Sequence, residues 1–259
     1  MFARWTMLVA LVGALGPAWQ SSARGQDSEA QVKEYLEDIG AYGYTVTAIT
    51  ADYLDDTFPD TDFFAVIFRR YPLLIPPPKG LSASNVFLVQ DGTVFPLVGP
   101  ADLRNFFLGN LAPVQGEAGA KDAGLAWLRL SEVFSQDGFF TFAAPQVRVT
   151  PSDEEIRVAG SVTVTAGGRG SIHVAMEFDS DGELDDVSET RSVHPGVRPI
   201  CQATKLLDAD PLVRRMAEQD ILVMGESAKA CLDEQRAKAK PELKAAIDRI
   251  WNRIVDERW

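Results

Sequence analysis

The chain has 259 residues, 46% of them hydrophobic and 24% charged, which suits packed domains and excludes a disordered chain. It carries 25 Lys and Arg against 37 Asp and Glu, a formal net charge of −12. A surface that acidic repels phosphate backbones and anionic bilayers, so nucleic acid and lipid surfaces are excluded as expected partners, and cations or basic proteins suit it.

Residues 1–25 have the pattern of a secretory signal peptide. Arg4 supplies a positive start, Met7 to Trp19 is apolar, and Ala23 and Gly25 occupy the −3 and −1 positions of a small-residue cleavage site. Cleavage after Gly25 removes two arginines and no acid, taking the charge to −14. The apolar run is shorter than the roughly 20 residues a bilayer core requires. No later stretch qualifies as a transmembrane segment. The expected location is therefore the periplasm or the extracellular space.

A first α+β domain is expected over 27–112. Ser28 is placed to cap a helix from Glu29 to Ile39, with Val32, Leu36 and Ile39 on one face. Tyr44 to Ile49 alternates like a strand. Asp52 to Asp62 reads as an acidic, turn-rich connection holding Asp52, Asp55, Asp56, Asp60 and Asp62. Phe63 to Phe68 is a nearly continuous apolar run, the mark of a strand buried on both faces. Pro72 and Pro76 to Pro78 stiffen the next loop. Asn85 to Gln90 and Thr93 to Val98, joined by Asp91-Gly92, form a hairpin. Asp102 to Leu111 reads as a short helix. Residues 113–121 have linker composition.

A second domain is expected over 122–195: a helix from Asp122 to Ser135, then strands at 139–142, 146–150, 156–165, 171–179 and 184–193. Period-two alternation is plain in Ile156, Val158, Gly160, Val162 and Val164, and again in Ile172, Val174, Met176 and Phe178. The helix is the natural cover for the apolar face. This order resembles the cystatin or NTF2-like plan. The likeness is one of topology and carries no function.

Residues 198–259 read as helical. Asp210-Pro211-Leu212-Val213-Arg214-Arg215-Met216-Ala217-Glu218 opens a helix with Asp as N-cap and Pro at its first position. Gly225 ends it, and Pro241-Glu242-Leu243-Lys244 opens another. Over about 203–256 this opening, glycine turn and proline restart resemble a HEAT-type helical repeat. The resemblance implies protein–protein contacts. Because stacked repeats bury their cores against neighbours, it also implies that a lone unit leans on the sheet domain or on a partner. The fold class expected for the whole chain is α+β, two small helix-plus-antiparallel-sheet domains followed by a HEAT-like hairpin.

Few residues offer chemistry. Cys201 and Cys231 are an even pair in an exported chain, which points to a disulfide; two buried thiols on separate helices are the alternative. Asp179, Asp181, Glu183 and Asp185 crowd one hairpin and are weak calcium candidates. The glutamate an EF-hand needs six residues after Gly182 is replaced by Ser188. His173 falls on the outward face of a strand and His194 in a turn. Gly167-Gly168-Arg169-Gly170 lacks the Lys-Ser/Thr of a phosphate loop and reads as a hairpin. Trp127, Trp251 and Trp259 read as packing residues. No catalytic residue and no cofactor is expected. The expected function is that of an exported, non-enzymatic binding or scaffold protein with an unidentified protein partner; the alternative is a small-ligand binder or hydrolase using a cavity in 122–195.

Overall fold

The computed structural model describes residues 17–68, 75–152, 154–196, 198 and 201–256. Residues 1–16 of the expected signal peptide, Pro72 and Trp259 lie outside them. The chain is of the α+β class, with seven α-helices and two antiparallel sheets among the described residues.

The first sheet is a meander of β1 (Tyr44–Ala48), β2 (Thr61–Phe68), β3 (Ser84–Gln90) and β4 (Thr93–Leu97). Its two central strands are apolar on both faces. Phe64, Val66, Phe68, Phe87 and Val89 face helix α1 (Pro17–Asp38) and meet Val32 and Leu36. Phe63, Val86 and Leu88 face the other way, into the main core. The helix expected to start at Glu29 runs unbroken from Pro17, through Gly25. Ser28 is therefore not a cap. Its hydroxyl donates across to Asp62 Oδ2 at 2.5 Å. The connection after β1 is likewise more ordered than a run of turns. Asp52–Thr57 forms a short helix, α2, because burying Leu54 and Phe58 anchors it. Phe58 there joins an aromatic group, edge-on to Phe63 and tilted against Phe106, and edge-on again to Phe107. The latter two come from α3 (Pro100–Asn110).

The expected linker is a second correction. Helix α4 spans Gly116–Val133, so residues 116–121 are its first turns, and Ala120 is fully buried. Alanine and glycine give this stretch the composition of a linker, but small side chains also let a helix lie close to its neighbours. Alpha4 is sandwiched. One side meets α2, α3 and β3, and the other meets the second sheet. A single core runs through all of these elements, from Ile49 to Val187, with no break between 27–112 and 122–195.

The second sheet contains β5 (Thr141–Phe142), β6 (Gln146–Pro151), β7 (Glu155–Ala166), β8 (Gly168–Asp179) and β9 (Leu184–Pro195). Beta5 and β6 both pair with β7, one after the other, and β8 and β9 follow in order. Val158, Val162, Ile172, Val174, Met176 and Phe178 all bury against α4. The fit is close. A Cβ on Gly124 would lie 2.8 Å from Val158 Cγ1, and one on Gly160 would lie 3.0 Å from both Leu128 and Val174. Beta9 places two charges on the inner face, since Glu189 pairs with Val174 and Arg191 with Ile172. They satisfy each other at 2.8 Å. Alpha4 does the rest: Trp127 Nε1 donates to Glu189 at 2.9 Å, and Arg191 donates to Ser135 Oγ at 2.9 Å and Ser131 Oγ at 2.6 Å.

The C-terminal unit comprises a 3₁₀ turn (Ala203–Leu207), α5 (Pro211–Met224), a second 3₁₀ turn (Gly225–Ala228), α6 (Lys229–Lys238) and α7 (Pro241–Asp256). Asp210 caps α5, its Oδ1 accepting from the Leu212 N–H at 2.8 Å. The apolar stripe of α7 does not lean on the sheet. Ile247, Ile250 and Ile254 bury against Ala203, Ile221, Met224, Ala228 and Leu232 in a core of the unit's own. A disulfide between Cys201 and Cys231, with Cα atoms 6.6 Å apart, ties the segment before the first 3₁₀ turn to α6. Three helices and two 3₁₀ turns thus enclose what a two-helix hairpin would leave bare.

Two outcomes test this packing. Gly124→Val forces side chains into the α4–sheet contact and should cost about 2–3 kcal/mol in chemical denaturation. Replacing both cysteines by Ala opens a loop of separation 30; this should destabilise the C-terminal unit by about 3–4 kcal/mol. Because the two cores are separate, Trp127 fluorescence should report an unchanged transition for the larger one.

Candidate functional site

The first sheet is open at the end where β2 begins and the β3–β4 hairpin turns, and two clefts meet there. One, of about 560 Å³, is lined by Ile49 and Thr50 after β1, Asp55 of α2, and Asp62 and Phe63 of β2. The other, of about 580 Å³, is lined by Asp27, Ser28 and Gln31 of α1, by Asp60 and Asp62, and by Asp91 at the hairpin turn. Asp62 belongs to both.

Strand alternation explains its place. Asp62 has the parity of Phe64 and Val66, so it projects toward α1 and accepts the Ser28 hydroxyl. Asp55 is carried in by α2. Burial raises its pKa first, and Asp52, Asp62 and Asp56 add repulsion. Gln31 contributes a buried Oε1 with no hydrogen-bond partner among the described residues. The result is a trough bordered by Asp27, Asp55, Asp60, Asp62 and Asp91.

Among the described residues no three His, Cys, Asp or Glu side chains are grouped so as to hold a metal ion. Carboxylates spread along a trough instead suit ammonium or guanidinium groups spaced along a chain. Of the acidic connection read in the sequence, Asp55, Asp60 and Asp62 reach the clefts. Asp27, Gln31 and Asp91 come from distant segments. No local pattern marks them, and only the pairing of β2 with β3 and the docking of α1 bring them in.

The calcium candidates fare differently. Asp179 Oδ1 accepts the backbone N–H groups of Asp181 and Glu183, each at 2.9 Å, and so closes the β8–β9 turn. With that carboxylate engaged, Asp179, Asp181, Glu183 and Asp185 form no metal-holding group. His173 stands on the open face of the second sheet, its Nε2 2.8 Å from Ser171 Oγ. His194, expected in a turn, lies in β9 beside Ser192 at 3.3 Å. Neither histidine lines the two clefts. Gly167 has φ +75°, and a Cβ there would fall 1.9 Å from the Phe139 carbonyl oxygen. That glycine serves a tight backbone crossing.

Several buried acids escaped the sequence reading, Glu132 among them. Glu132 lies on α4 with Arg129 at 3.2 Å, and burial pushes its pKa from 4.5 up to about 6, with Arg129 opposing. Burial also raises the pKa of Tyr53 on α2, Arg129 again opposing. From about pH 4.5 to 6 the folded protein keeps the Glu132 proton that the unfolded chain has lost, so stability falls as pH rises through that window. Glu132→Gln removes this loss. It should stabilise by about 1–2 kcal/mol at pH 7.5 and by nearly nothing at pH 4, measured as the difference between two denaturation curves.

No protein-family model, curated protein or solved structure matches the chain, so its reading rests on its own geometry.

Proposed function

We propose that this chain is an exported, non-enzymatic binding protein that takes a basic segment of a protein partner along the acidic trough around Asp62. The observation that carries this reading is the gathering of five carboxylates from α1, α2, the turn before β2, β2 and the β3–β4 turn onto two adjoining clefts. Asp55 in particular is repelled by Asp52, Asp62 and Asp56, a cost that a cationic partner relieves. Charge distribution supports it. Residues 26–200 carry 12 Lys and Arg against 26 Asp and Glu, whereas 201–259 carry 11 of each. The acidity belongs to the part that holds the trough. Export is supported by the pattern of residues 1–25 and by the disulfide, a bond that persists in oxidising compartments. In this reading the HEAT-like segment is an accessory unit for protein contacts.

The alternative, a small-ligand or hydrolase cavity in 122–195, has little room. Val158, Val162, Val164, Val174 and Phe178 are at most 8% exposed, and all but Val164 share one packed core with α4.

A labelled Lys/Arg-rich peptide titrated into the protein should bind, and binding should weaken with salt. Asp62→Asn with Asp91→Asn should reduce affinity about tenfold. Asp181→Asn with Asp185→Asn makes the same charge change on the distant hairpin and should leave affinity nearly unchanged. Equal losses in the two double variants would reduce the effect to net charge and remove the trough as the site.

A further inference from the structure

Helix α5 has two apolar faces. Ile221 and Met224 are buried in the core of the C-terminal unit, and Ala217 is buried on the same side of the helix. On the opposite side Leu212, Met216 and Val223 are 55%, 58% and 64% exposed, with Gln219 exposed between them. The positions 212, 216, 219 and 223 step by four, three and four. That is the seam of a coiled coil, two layers of each kind.

The seam is flanked by Arg215 on one side and Asp220 on the other. The side chain of neither makes a hydrogen bond or ion pair among the described residues. Neighbouring charges are used inside the unit. Arg214 donates to the carbonyls of Asp208 at 2.6 Å and Ala209 at 3.1 Å, and Glu218 accepts from Arg253 at 2.7 Å. Two opposite charges without partners, five residues apart on the flanks of an apolar seam, have the spacing by which parallel coiled coils pair across helices.

We infer that α5 pairs with α5 of a second copy of the chain, parallel and in register about a two-fold axis. Leu212, Met216, Gln219 and Val223 then meet their own counterparts, and Arg215 reaches Asp220 of the partner subunit. Symmetry makes that ion pair twice. An antiparallel pairing sets like flanks together and forfeits both ion pairs. The seam also lies on the charge-balanced part of the chain, where two copies meet with least repulsion. This inference is independent of the trough.

Sedimentation equilibrium of the full chain over a dilution series tests it. The expected result is a monomer–dimer equilibrium. Met216→Asp should abolish the dimer while circular dichroism stays unchanged. Arg215→Asp should lower the association constant about tenfold, since two ion pairs are lost and acids face each other. Adding Asp220→Arg to that variant should restore association. Gln219→Cys should give a covalent dimer on mild oxidation. A wild-type monomer at every concentration, a dimer indifferent to Met216→Asp, or a charge-swapped double variant no better than Arg215→Asp would each overturn the proposal. So would a seam that captures a different protein while the chain itself remains monomeric.

Discussion

Everything in the larger domain depends on how closely helix α4 can lie between two sheets. A helix in that position must be apolar on nearly every side, and α4 buries residues around most of its circumference, from Ala120 to Val133, leaving one strip with Lys121 and Arg129 to solvent. It must also be thin where a sheet presses on it. Ala120, Ala123, Gly124 and Ala126 supply that thinness, and at Gly124 even one carbon more would collide with Val158. Large side chains are then placed where the sheets diverge. Trp127, 1% exposed, fills such a space edge-on to Phe107 with ring centres 5.0 Å apart. Its size contributes apolar burial, and its indole N–H satisfies a carboxylate on β9.

That carboxylate belongs to the second constraint, polar groups committed to the interior. Beta9 is an edge strand, and inward-pointing charges on an edge discourage further strand pairing. Glu189 and Arg191 fill this role because α4 offers Ser131, Ser135 and Trp127 as partners. The exit from the sheet is fixed by a second buried pair. Arg198 and Asp137, at 2.7 Å, are 6% and 4% exposed, and the guanidinium lies over the rings of Phe139 and Phe140. A pair so desolvated contributes little net stability, but losing one partner strands the other. It therefore works as a latch, holding the segment that leads to the C-terminal unit against the turn after α4.

What the sequence disclosed and what it hid follow from the range of the forces involved. The strands of the second sheet were legible because alternation is local: Ile172, Val174, Met176 and Phe178 need no knowledge of the rest of the chain. The opening of α5 was legible for the same reason, with Asp210, Pro211 and Gly225 marking its ends within one turn. Residues 116–121 misled because alanine and glycine read alike in a linker and in a helix squeezed between sheets. Alpha2 was hidden because its six residues are held by Leu54 and Phe58 against distant aromatics, not by propensity. The trough was half visible. Asp55, Asp60 and Asp62 stand together in sequence, but Asp27 and Asp91 join them through tertiary packing alone.

The separation of the two cores gives the chain its division of labour. The acidic domain is built inward: its central helix α4 is enclosed between two sheets, its interior charges are paired, and five of its carboxylates gather at one open end. The C-terminal unit is built the other way. It closes a small core of isoleucines around Ala203 and Ala228, is stapled by a disulfide, balances its charges and keeps one helix face free of internal partners. A unit that needed the sheet to cover its apolar stripe could not present a second apolar face without losing solubility. Because it covers the α7 stripe within itself, it can leave the outer face of α5 bare, and a bare face on a self-sufficient core can associate without disturbing the fold beside it.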